Sequence, residues 1–425
     1  DHMLTSLEEV EALGRQLDVR EGHLYHELLE KGQPTDVAVL LYTSGTTGVP
    51  KAAMVSHRNL LCTAASVTQV DRVSEGDEIV SILPFAWVGE QFLSVALALY
   101  AGATVNFAEQ PETMREDLRE IGPHLLLAPP RVWEAMCSEY QVRIGDAGFL
   151  KRAVTRAALA MGERVVEREL RRKPLGIGWR LLNGVAYLLA FRSMLDKFGL
   201  SRVRYAYTGG APLGPEVFKF FRALGLNLKQ VYGQTETAGI CVLHPDGDVR
   251  GETVGKPTPG TRVRLSDTGE ILIACDSVFL GYYKNPEATA MALDNGWLHT
   301  GDAGLLDEAG HVVMIDRLKD VLKLADGSRF SPALIENKLK FSPYIQEAVV
   351  IGEDRSHIVA LIQIDMGNVG SWAEANRLRF TTFKDLSGKP EVFALIGKEV
   401  ARVNQDLPRV AHIQRFALFD KELDA

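Results

Sequence analysis

Residues 43–51, TSGTTGVPK, bring together four hydroxyl side chains, two glycines and a lysine. Glycines let backbone N–H groups converge on a ligand without a Cβ in the way, and the hydroxyls and the lysine add donors that suit phosphate oxygens. The apolar run at residues 37–41 predicts a buried strand before this segment, and the pattern that begins at Ser56 predicts a helix after it. A strand, a Gly/Ser/Thr loop and a helix in this order predict a cradle for nucleotide phosphates.

This loop is not a Walker P-loop, because that motif needs Gly-Lys-Ser/Thr in direct succession. Here Val49 and Pro50 separate Gly48 from Lys51. The plain alternative is a flexible surface loop that is rich in glycine and threonine.

Two further glycine-bearing segments each follow an apolar run. Residues 207–213, YTGGAPL, contain paired glycines, which would let the backbone approach a flat adenine ring. Residues 230–237, QVYGQTET, offer the aromatic face of Tyr232, the hydroxyl of Thr235 and the carboxylate of Glu236. A single carboxylate suits Mg²⁺, which keeps several waters and binds substrate phosphates. Taken alone, the first segment is equally a strand-ending turn, and a lone glutamate is usually solvated.

Two acidic segments lie further along the chain. Residues 297–302, WLHTGD, place Asp302 after a glycine turn, where it could accept both hydroxyls of a ribose. The alternative is an aspartate in an ordinary turn. Residues 316–320, DRLKD, lie where the composition of the chain changes, and their charges would ordinarily belong to a solvated linker.

Short apolar runs alternate with helical patterns between residues 37 and 145, and the alternation returns near residues 203–207 and 227–232. It predicts an α/β fold with a mainly parallel sheet that is covered by helices. Shorter, alternating strands from residue 261 predict a small β subdomain over residues 261–315, and an α+β pattern follows residue 316. Residues 148–200 stand apart as two helical stretches, of which the first is basic.

These motifs, in this order, resemble those of the adenylate-forming superfamily, which comprises acyl-CoA synthetases, luciferases and the adenylation domains of peptide synthetases. Within it the chain looks most like the long-chain fatty acyl-CoA synthetases. Residues 84–90, PFAWVGE, stand at the place of the motif that lines the acyl site, and members that act on small acids generally lack the basic insert at 148–200. The resemblance implies a large N-terminal domain of layered, mainly parallel sheets and helices over residues 1–316, and a small mobile α+β C-terminal domain over residues 317–425.

The resemblance also implies an AMP-forming acid–thiol ligase that uses ATP, Mg²⁺ and CoA and takes a long-chain fatty acid. Together with the residue chemistry it implies catalytic roles for Thr43, Lys51, Thr235, Glu236 and Lys319, with the hinge of the small domain at residues 317–320 and a Mg²⁺ site at Glu236 and Thr43. The residues that it places at the nucleotide and CoA are Thr43, Ser44, Gly45, Thr46, Thr47, Gly48, Lys51, Gly209, Gly210, Ala211, Tyr232, Gly233, Thr235, Asp302, Arg317 and Gly327.

Two alternatives stay open at this point. The chain could be a fatty acyl-AMP ligase that hands its acyl group to a carrier protein, and CoA-dependent release of AMP would separate the two enzymes. It could also be a truncated nucleotide- or acyl-binding fragment without turnover.

The sequence departs from the family pattern in several places. Ala52 and Ala53 follow Lys51 where glycine is usual, and Trp87 stands where long-chain members often have histidine, which leaves acyl chain length open. The resemblance implies that both termini are truncated, since the family has a longer segment upstream of the phosphate loop and a catalytic lysine near its C-terminus. Lys421 lies in no matching motif and is not assigned that role.

The composition of the chain limits which classes of binding partner are expected. The chain has 425 residues, a net charge of −8 and a pI near 5.8, which argues against a nucleic-acid-binding protein. The four cysteines, at positions 62, 137, 241 and 275, show no C-x-x-C spacing, which is typical of isolated thiols in a reducing cytoplasm. Nothing in the composition indicates the oligomeric state.

The basic segment at residues 149–173 mixes lysines and arginines with apolar residues at helical spacing. This pattern suits a helix that lies at the inner face of a membrane and contacts anionic headgroups. A solvated, partly core-facing helix is the alternative. The apolar stretches are too short or too interrupted to span a bilayer.

Overall fold

The computed structural model describes residues 5–43, 50–110, 112–145, 148–170, 176–340, 342–405 and 407–422. Its strands are β1 (Val37–Thr43), β2 (Lys51–Ser56), β3 (Glu78–Ser81), β4 (Thr104–Phe107), β5 (Leu125–Leu127), β6 (Tyr205–Thr208), β7 (Leu228–Gln234), β8 (Gly239–Leu243), β9 (Lys256–Pro257), β10 (Arg262–Leu265), β11 (Glu270–Ala274), β12 (Gly281–Tyr282), β13 (Leu293–Asp294), β14 (Trp297–Leu306), β15 (Val312–Arg317), β16 (Leu322–Lys323), β17 (Arg329–Phe330), β18 (Ile345–Ile351), β19 (Ile358–Ile364) and β20 (Ile413–Leu418).

The α-helices are α1 (Leu7–Arg20), α2 (Leu24–Lys31), α3 (His57–Val70), α4 (Val88–Glu90), α5 (Ala98–Ala101), α6 (Met114–Ile121), α7 (Pro130–Gly145), α8 (Phe149–Leu170), α9 (Ile177–Ala186), α10 (Arg192–Lys197), α11 (Pro215–Ala223), α12 (Pro286–Ala292), α13 (Pro332–Lys340), α14 (Met366–Ala375), α15 (Phe383–Ser387) and α16 (Pro390–Gln405). π-Helical turns at Gln91–Leu97 and Tyr187–Phe191 join α4 to α5 and α9 to α10.

The central sheet has seven strands in the order β4-β3-β5-β6-β7-β8-β9. The strands from β4 to β7 run parallel, and β8 and β9 are antiparallel additions at one edge. Ile79 and Leu125 face one hydrophobic core, while their neighbours Val80 and Leu126 face a second core on the other side of the sheet. Because both faces are covered, successive positions of these strands are apolar. The predicted α/β fold is confirmed.

Two smaller sheets are antiparallel. One has the order β1-β2-β12, and the other has the order β10-β11-β14-β13 with β15 beside β14. The strands that were predicted after residue 261 are confirmed as β10 and β11, but exposure alternates only in β10, since every residue of β11 is buried.

The prediction of a buried strand at residues 37–41 is wrong in its burial. β1 is the edge strand of its sheet, and Val37, Leu40 and Tyr42 are exposed whereas Leu41 is buried. The predicted order of strand, loop and helix is also wrong, because β2 comes between the loop and α3. An apolar run predicts a strand, but the strand's neighbours decide whether both of its faces are covered.

The C-terminal part has a core of its own, built from residues that include Ile335, Val350 and Ile362. Here β18, β19 and β20 form a sheet, with helices α13, α14 and α16 contributing to the same core. The predicted α+β pattern is therefore confirmed. Two hydrogen bonds link this part to the preceding strands: Ser331 Oγ donates to Asp316 Oδ2 at 2.6 Å, and Arg329 Nη1 donates to the Thr268 carbonyl at 2.8 Å.

A buried carboxylate fixes the two strands that lead into the candidate site. Asp71 follows α3, and Lys229 Nζ in β7 lies 2.5 Å from its Oδ1. The Tyr207 hydroxyl in β6 donates to Asp71 Oδ2 at 2.9 Å. The side chains of Asp71 and Lys229 are fully buried, and Lys229 Nζ also lies 2.8 Å from Asp246 at the surface. Asp71 thus holds β6 and β7 to α3.

We expect Lys229→Met to lower the free energy of unfolding by about 3–5 kcal/mol, since it leaves the Asp71 carboxylate buried without its cation. The double variant Asp71→Asn/Lys229→Met should recover most of that loss, because neither buried charge remains. Chemical denaturation followed by circular dichroism measures both values. A double variant as unstable as Lys229→Met would show that packing, and not the unpaired charge, is responsible.

Candidate functional site

Two of the predicted segments meet at one edge of the central sheet. Gly209 to Ala211 follow β6, and Tyr232 to Gln234 end β7, its parallel neighbour. A Cβ on Gly209 would lie 2.9 Å from Val231 Cγ2, so the close approach of the two chains requires glycine. Gly210 has a φ of +84°, which other residues rarely adopt. In parallel sheets this carboxyl edge is the usual place for ligands.

Gly233 produces the turn that carries Thr235 and Glu236. The register of β7 against β8 shifts between Tyr232 and Gly233, and a Cβ on Gly233 would lie 1.9 Å from the Gly239 carbonyl oxygen. A 3₁₀ turn at Thr235–Thr237 follows directly. Glycine is therefore required here for packing, and the turn places the Glu236 carboxylate beside the strand end.

The first polar cluster joins β7 to β14. The Tyr232 hydroxyl donates to Asp302 Oδ2 at 2.7 Å and accepts a hydrogen bond from Gln234 Nε2 at 3.3 Å. Arg317, which is opposite Asp302 in the pairing of β14 and β15, places Nη1 3.0 Å from Asp302 Oδ1. The glycine turn predicted at Asp302 is wrong, since β14 runs through it with Gly301 at a φ of +69°.

Burial sets the electrostatics of this cluster. Asp302 is 3% exposed, and burial raises its pKa, while the Tyr232 hydroxyl and Arg317 oppose the change. Burial and the Asp302 carboxylate also raise the pKa of Tyr232 well above its usual value, so its hydroxyl remains a donor. Among the described residues, the buried Thr208 Oγ1 has no hydrogen-bond partner, and the buried Asp302 Oδ1 accepts no hydrogen bond of good geometry although Arg317 Nη1 lies 3.0 Å from it. Such groups are suited to a polar ligand.

The second polar cluster joins the phosphate-loop strands to Glu236. The Tyr282 hydroxyl in β12 donates to Glu236 Oε1 at 2.6 Å, and Lys51 Nζ in β2 lies 5.3 Å from the centre of the Tyr282 ring. Thr43 is opposite Lys51 in the pairing of β1 and β2, and its Oγ1 lies 3.5 Å from the Lys51 carbonyl oxygen. This cluster combines a carboxylate, a cation and a hydroxyl, as binding of a metal-bound phosphate requires.

The donor set fits a cation that shares its coordination shell with substrate. Glu236 is buried and supplies a hard oxygen ligand. The described part of the chain holds no group of three or more His, Cys, Asp or Glu residues that could ligate a metal by itself. Mg²⁺ commonly uses one or two carboxylates plus phosphates and water. Glu236 and Thr43 therefore suit Mg²⁺ that arrives with a nucleotide.

Tyr282 was not predicted from the sequence. It lies 46 residues from Glu236 along the chain, and it reaches the site through β12, which pairs with β2. A dipeptide Gly-Tyr in a short strand carries no chemical pattern of its own, so only the pairing of distant strands reveals it.

Ser44, Gly45, Thr46, Thr47 and Gly48 lie outside the described residues. The loop that contains them begins at Thr43 and returns at Lys51, which are neighbours across two antiparallel strands.

Lys319 and Gly327 are C-terminal to Arg317 in the sequence. Lys319 is exposed in a 3₁₀ turn at Leu318–Asp320, directly after β15. Gly327 has a φ of +84° in the turn between β16 and β17, and its N–H donates to the Leu324 carbonyl at 2.9 Å. No hydrogen bond or ion pair between these two residues and either polar cluster is present among the described residues.

The segment at residues 84–90 leads into α4 beside the central sheet. Phe85 and Trp87 are exposed, whereas Glu90 is fully buried. Its Oε2 accepts from the Leu83 N–H at 3.1 Å, and its Oε1 accepts from the Ser94 hydroxyl. The Phe85 ring stacks on Phe107 at 5.9 Å. The large exposed apolar side chains of this segment are therefore those of Phe85 and Trp87.

The insert at 148–200 exposes apolar side chains on both of its helical stretches, with Phe149 and Leu150 at the start of α8 and a larger set on α9. In α8, Ala158, Val165 and Val166 are buried, and α8 packs against α11, so this helix is partly core-facing, while its contact with a membrane stays a prediction. In α9 the one buried residue is Ala186. The exposed apolar side chains of α9 and of the π-helical turn after it are Ile177, Leu181, Leu182, Val185, Leu188 and Leu189, which we call the α9 face.

In the described residues, each helix is too short or too polar to cross a membrane.

A chain of hydrogen-bonded polar groups, most of them buried, contacts the backbone of β7 at Gln230. His244 Nδ1 lies 3.0 Å from the Gln230 carbonyl oxygen, and because that oxygen can only accept, Nδ1 carries the proton. His244 Nε2 lies 2.9 Å from Thr253 Oγ1, which lies 3.0 Å from His311 Nδ1. His311 Nε2 lies 3.1 Å from Asp248 Oδ2. Burial lowers the pKa of His244 to about 4, which keeps the ring neutral.

Known protein families match both parts of the chain. Residues 4–283 match the family described as AMP-binding enzyme, and residues 319–422 match the AMP-binding enzyme C-terminal domain. The chain is 32% identical over 387 residues to the long-chain-fatty-acid–CoA ligase FadD15 of Mycobacterium bovis, covering 90% of this chain and 64% of that protein. It is 32% identical over 393 residues to the putative fatty-acid–CoA ligase fadD11 of Mycobacterium tuberculosis, covering 91% of this chain and 68% of that protein. The chain thus spans about two thirds of the length of these relatives.

Solved structures show the same fold. The anthranilate CoA ligase AuaEII in complex with anthranoyl-AMP has a TM-score of 0.63 at 17% identity, with 93% of this chain and 66% of that chain covered. The O-succinylbenzoate coenzyme A synthetase MenE of Bacillus subtilis, in complex with ATP and a magnesium ion, has a TM-score of 0.60 at 18% identity, with 92% and 67% covered.

We expect His244 to make stability depend on pH. Between its usual pKa of 6.5 and about 4, the unfolded chain binds a proton that the folded chain does not, so the free energy of unfolding falls as the pH falls through this window. The shift corresponds to about 3 kcal/mol at most. His244→Gln should therefore lose less stability than the wild type between pH 7 and pH 4.5. Chemical denaturation at several pH values measures this, with the exposed His26→Gln as control. A His244→Gln profile parallel to the wild type would contradict the assignment.

Proposed function

Because the chain belongs to the AMP-binding enzyme family, we propose that it activates a long-chain fatty acid with ATP and transfers the acyl group to CoA. The observation that carries the proposal is the pair of polar clusters at one edge of the central sheet. One centres on the buried Asp302 carboxylate, which Tyr232 and Arg317 contact, and the other combines Glu236, Tyr282 and Lys51. A nucleotide needs both kinds of contact, one for its ribose and one for its phosphates. The long-chain acid is the substrate class in the name of the FadD15 relative.

In this proposal each predicted residue contacts a defined part of ATP. Asp302 accepts the ribose hydroxyls, with Arg317 beside it, and Tyr232 lies against the adenine. The glycine segment from Gly209 to Ala211 lets the backbone approach the same ring, next to the unpartnered Thr208 hydroxyl. Thr235 and the loop at residues 43–51 donate to the phosphates. The loop residues assigned to this role are Thr43, Ser44, Gly45, Thr46, Thr47, Gly48 and Lys51.

The first half-reaction joins the fatty acid to AMP. A carboxylate oxygen bonds to the α-phosphorus, the bond from that phosphorus to the bridging oxygen breaks, and pyrophosphate leaves. Such transfers depend on positioning and charge stabilisation. Lys51 would hold its ammonium against the phosphate oxygens, and Glu236 and Thr43 would hold Mg²⁺, which would supply charge neutralisation.

The second half-reaction transfers the acyl group to sulfur. The CoA thiolate bonds to the acyl carbon, and AMP leaves. We place the domain boundary between residues 316 and 317, because the C-terminal core begins just beyond the exposed turn that contains Lys319. Rotation about Lys319 would bring the Gly327 turn toward the acyl-adenylate, since hinges are commonly a few exposed positions between rigid parts.

Two other functions use the same site. A fatty acyl-AMP ligase would pass the acyl group to a carrier protein, and a binding fragment would hold nucleotide without turnover. Fatty-acid-dependent ATP–pyrophosphate exchange separates the fragment from both enzymes, and CoA-dependent AMP release separates the enzymes from each other.

We further infer that the protein works in the cytoplasm at the inner face of a membrane, and that the α9 face makes the contact. Residues 148–200 contain eleven Lys or Arg and four Asp or Glu, a net charge of +7 in a chain of net charge −8. Exposed apolar side chains beside basic residues suit an interface with anionic lipid.

The first prediction from this proposal concerns Glu236. Glu236→Gln should lower fatty-acid-dependent ATP–pyrophosphate exchange by roughly 10²–10³-fold, because it removes a group that holds charge-neutralising Mg²⁺ in the transition state. ATP binding without a divalent cation should change little. Exchange by Glu236→Gln at the wild-type rate would exclude the metal assignment, and absence of fatty-acid-dependent exchange by the wild type would favour the binding fragment.

The second prediction concerns the α9 face. Leu181→Ser/Leu188→Ser should weaken binding to phosphatidylglycerol-containing vesicles by about tenfold or more, since two apolar side chains lose their favourable transfer from water. Leu7→Ser/Leu13→Ser on α1 is a matched control, because these leucines are 71% and 61% exposed, against 67% and 68% for the test pair. Co-sedimentation at low and high salt measures binding. If neither Leu181→Ser/Leu188→Ser nor high salt reduces binding to the vesicles, the α9 face is excluded as the membrane contact.

A further inference from the structure

Tyr282 contacts both charged groups of the second polar cluster. We propose that Tyr282 is a positioning residue for the metal-bound nucleotide: its hydroxyl orients the Glu236 carboxylate, and its ring holds the Lys51 ammonium. This inference rests on the function proposed above.

The hydrogen bond to Glu236 has a defined direction. A carboxylate oxygen can only accept, so the Tyr282 hydroxyl is the donor to Glu236 Oε1 at 2.6 Å. With Oε1 occupied in this way, Oε2 is the oxygen that remains for a cation. Hydrogen bonds that fix a ligating carboxylate in this manner commonly tune metal affinity.

The ring of Tyr282 keeps the two charges available. Lys51 Nζ lies 5.3 Å from the ring centre, within the range of a cation–π contact. Lys51 and Glu236 are both described residues, and they form no direct ion pair with each other. Such a pair would neutralise both groups and leave less charge for phosphate and Mg²⁺. Tyr282 contacts each of them without adding a charge.

The backbone around Tyr282 holds the ring in place. The N–H of Tyr282 donates to Thr289 Oγ1 at 2.8 Å, and the N–H of Phe279 donates to the Glu236 carbonyl at 2.9 Å. The Phe279 and Tyr282 rings pack edge to face at 4.9 Å. Gly281 has a φ of +129°, and a Cβ there would lie 2.6 Å from Thr289 Cγ2, so the segment reaches this position only with glycine. The same segment therefore binds the backbone and the side chain of Glu236.

The test is a titration of ATP and Mn²⁺ in the absence of fatty acid, so that no turnover is needed. Mn²⁺ bound in the protein–ATP complex is measured by electron paramagnetic resonance, and ATP binding without metal is measured by calorimetry. Tyr282→Phe should weaken Mn²⁺ binding by about tenfold, the effect typical of losing a hydrogen bond to a charged group. Its metal-free ATP affinity should change less than about twofold, because the ring that contacts Lys51 remains. Tyr282→Leu should weaken both.

Tyr283→Phe is the matched control, because Tyr283 is the next residue, is 49% exposed, and has Lys284 near its ring. The ratio of metal-dependent to metal-free ATP affinity does not depend on how much of a variant is folded. An unchanged ratio in Tyr282→Phe, or tighter Mn²⁺ binding, would overturn the proposal, since the hydroxyl would then be structural or would compete with the cation. If Glu236→Gln leaves Mn²⁺ binding intact, the metal assignment itself fails; if only Tyr282→Phe leaves it intact, the role of Tyr282 alone fails.

Discussion

The candidate site depends on a buried carboxylate that belongs to neither polar cluster. Asp71 accepts hydrogen bonds from Lys229 in β7 and Tyr207 in β6, and it is joined directly to α3. Removing two charges from water is costly, so the pair is tolerated only in this geometry, with a hydroxyl satisfying the second carboxylate oxygen. Because Asp71 holds β7 through Lys229 and β6 through Tyr207, the glycine segment that follows β6 and Tyr232 near the end of β7 meet at the carboxyl edge of the sheet.

At that edge there are two separate pairs of a tyrosine hydroxyl and a carboxylate. Tyr232 donates to Asp302, and Tyr282 donates to Glu236. In both pairs burial raises the tyrosine pKa, so that a neutral donor orients the carboxylate without cancelling its charge. Of the two basic residues, Lys51 lies over the Tyr282 ring, whereas the largely exposed Arg317 lies 3.0 Å from the second oxygen of Asp302. The arrangement keeps the negative charge that a ribose hydroxyl or a cation requires.

The proposed ribose contact and the proposed hinge are close in sequence. Arg317 ends β15 opposite Asp302, and Lys319 lies in the next turn. Ser331 at the start of the C-terminal core binds Asp316. A movement about Lys319 would therefore act directly on the strand that carries the Asp302 partner, which gives a physical route from domain position to nucleotide binding.

Most of the secondary structure could be predicted from apolar periodicity. The strands β3, β4 and β5 and the helices α3 and α7 lie where that pattern placed them, because their buried faces repeat at intervals that are local in sequence. β1 was placed correctly but was predicted to be buried, since nothing in a run of valine and leucine tells whether a strand has one neighbour or two. The helical insert was recognised, but the sequence did not tell which of its apolar side chains are buried, because packing against α11 decides which side of α8 is covered.

For the site, the sequence by itself determined which residue types were available: the hydroxyls and glycines of the loop, Tyr232 with Glu236, and Asp302. These residues lie in short sequence motifs, and their chemistry can be inferred from the sequence without knowledge of the fold. The tertiary structure decided which of them meet. It paired Tyr232 with Asp302 across 70 residues and Tyr282 with Glu236 across 46, and it left one oxygen of Asp302 buried without a hydrogen bond. Such pairings follow from strand order and from burial, and these depend on contacts between residues that are distant in the chain.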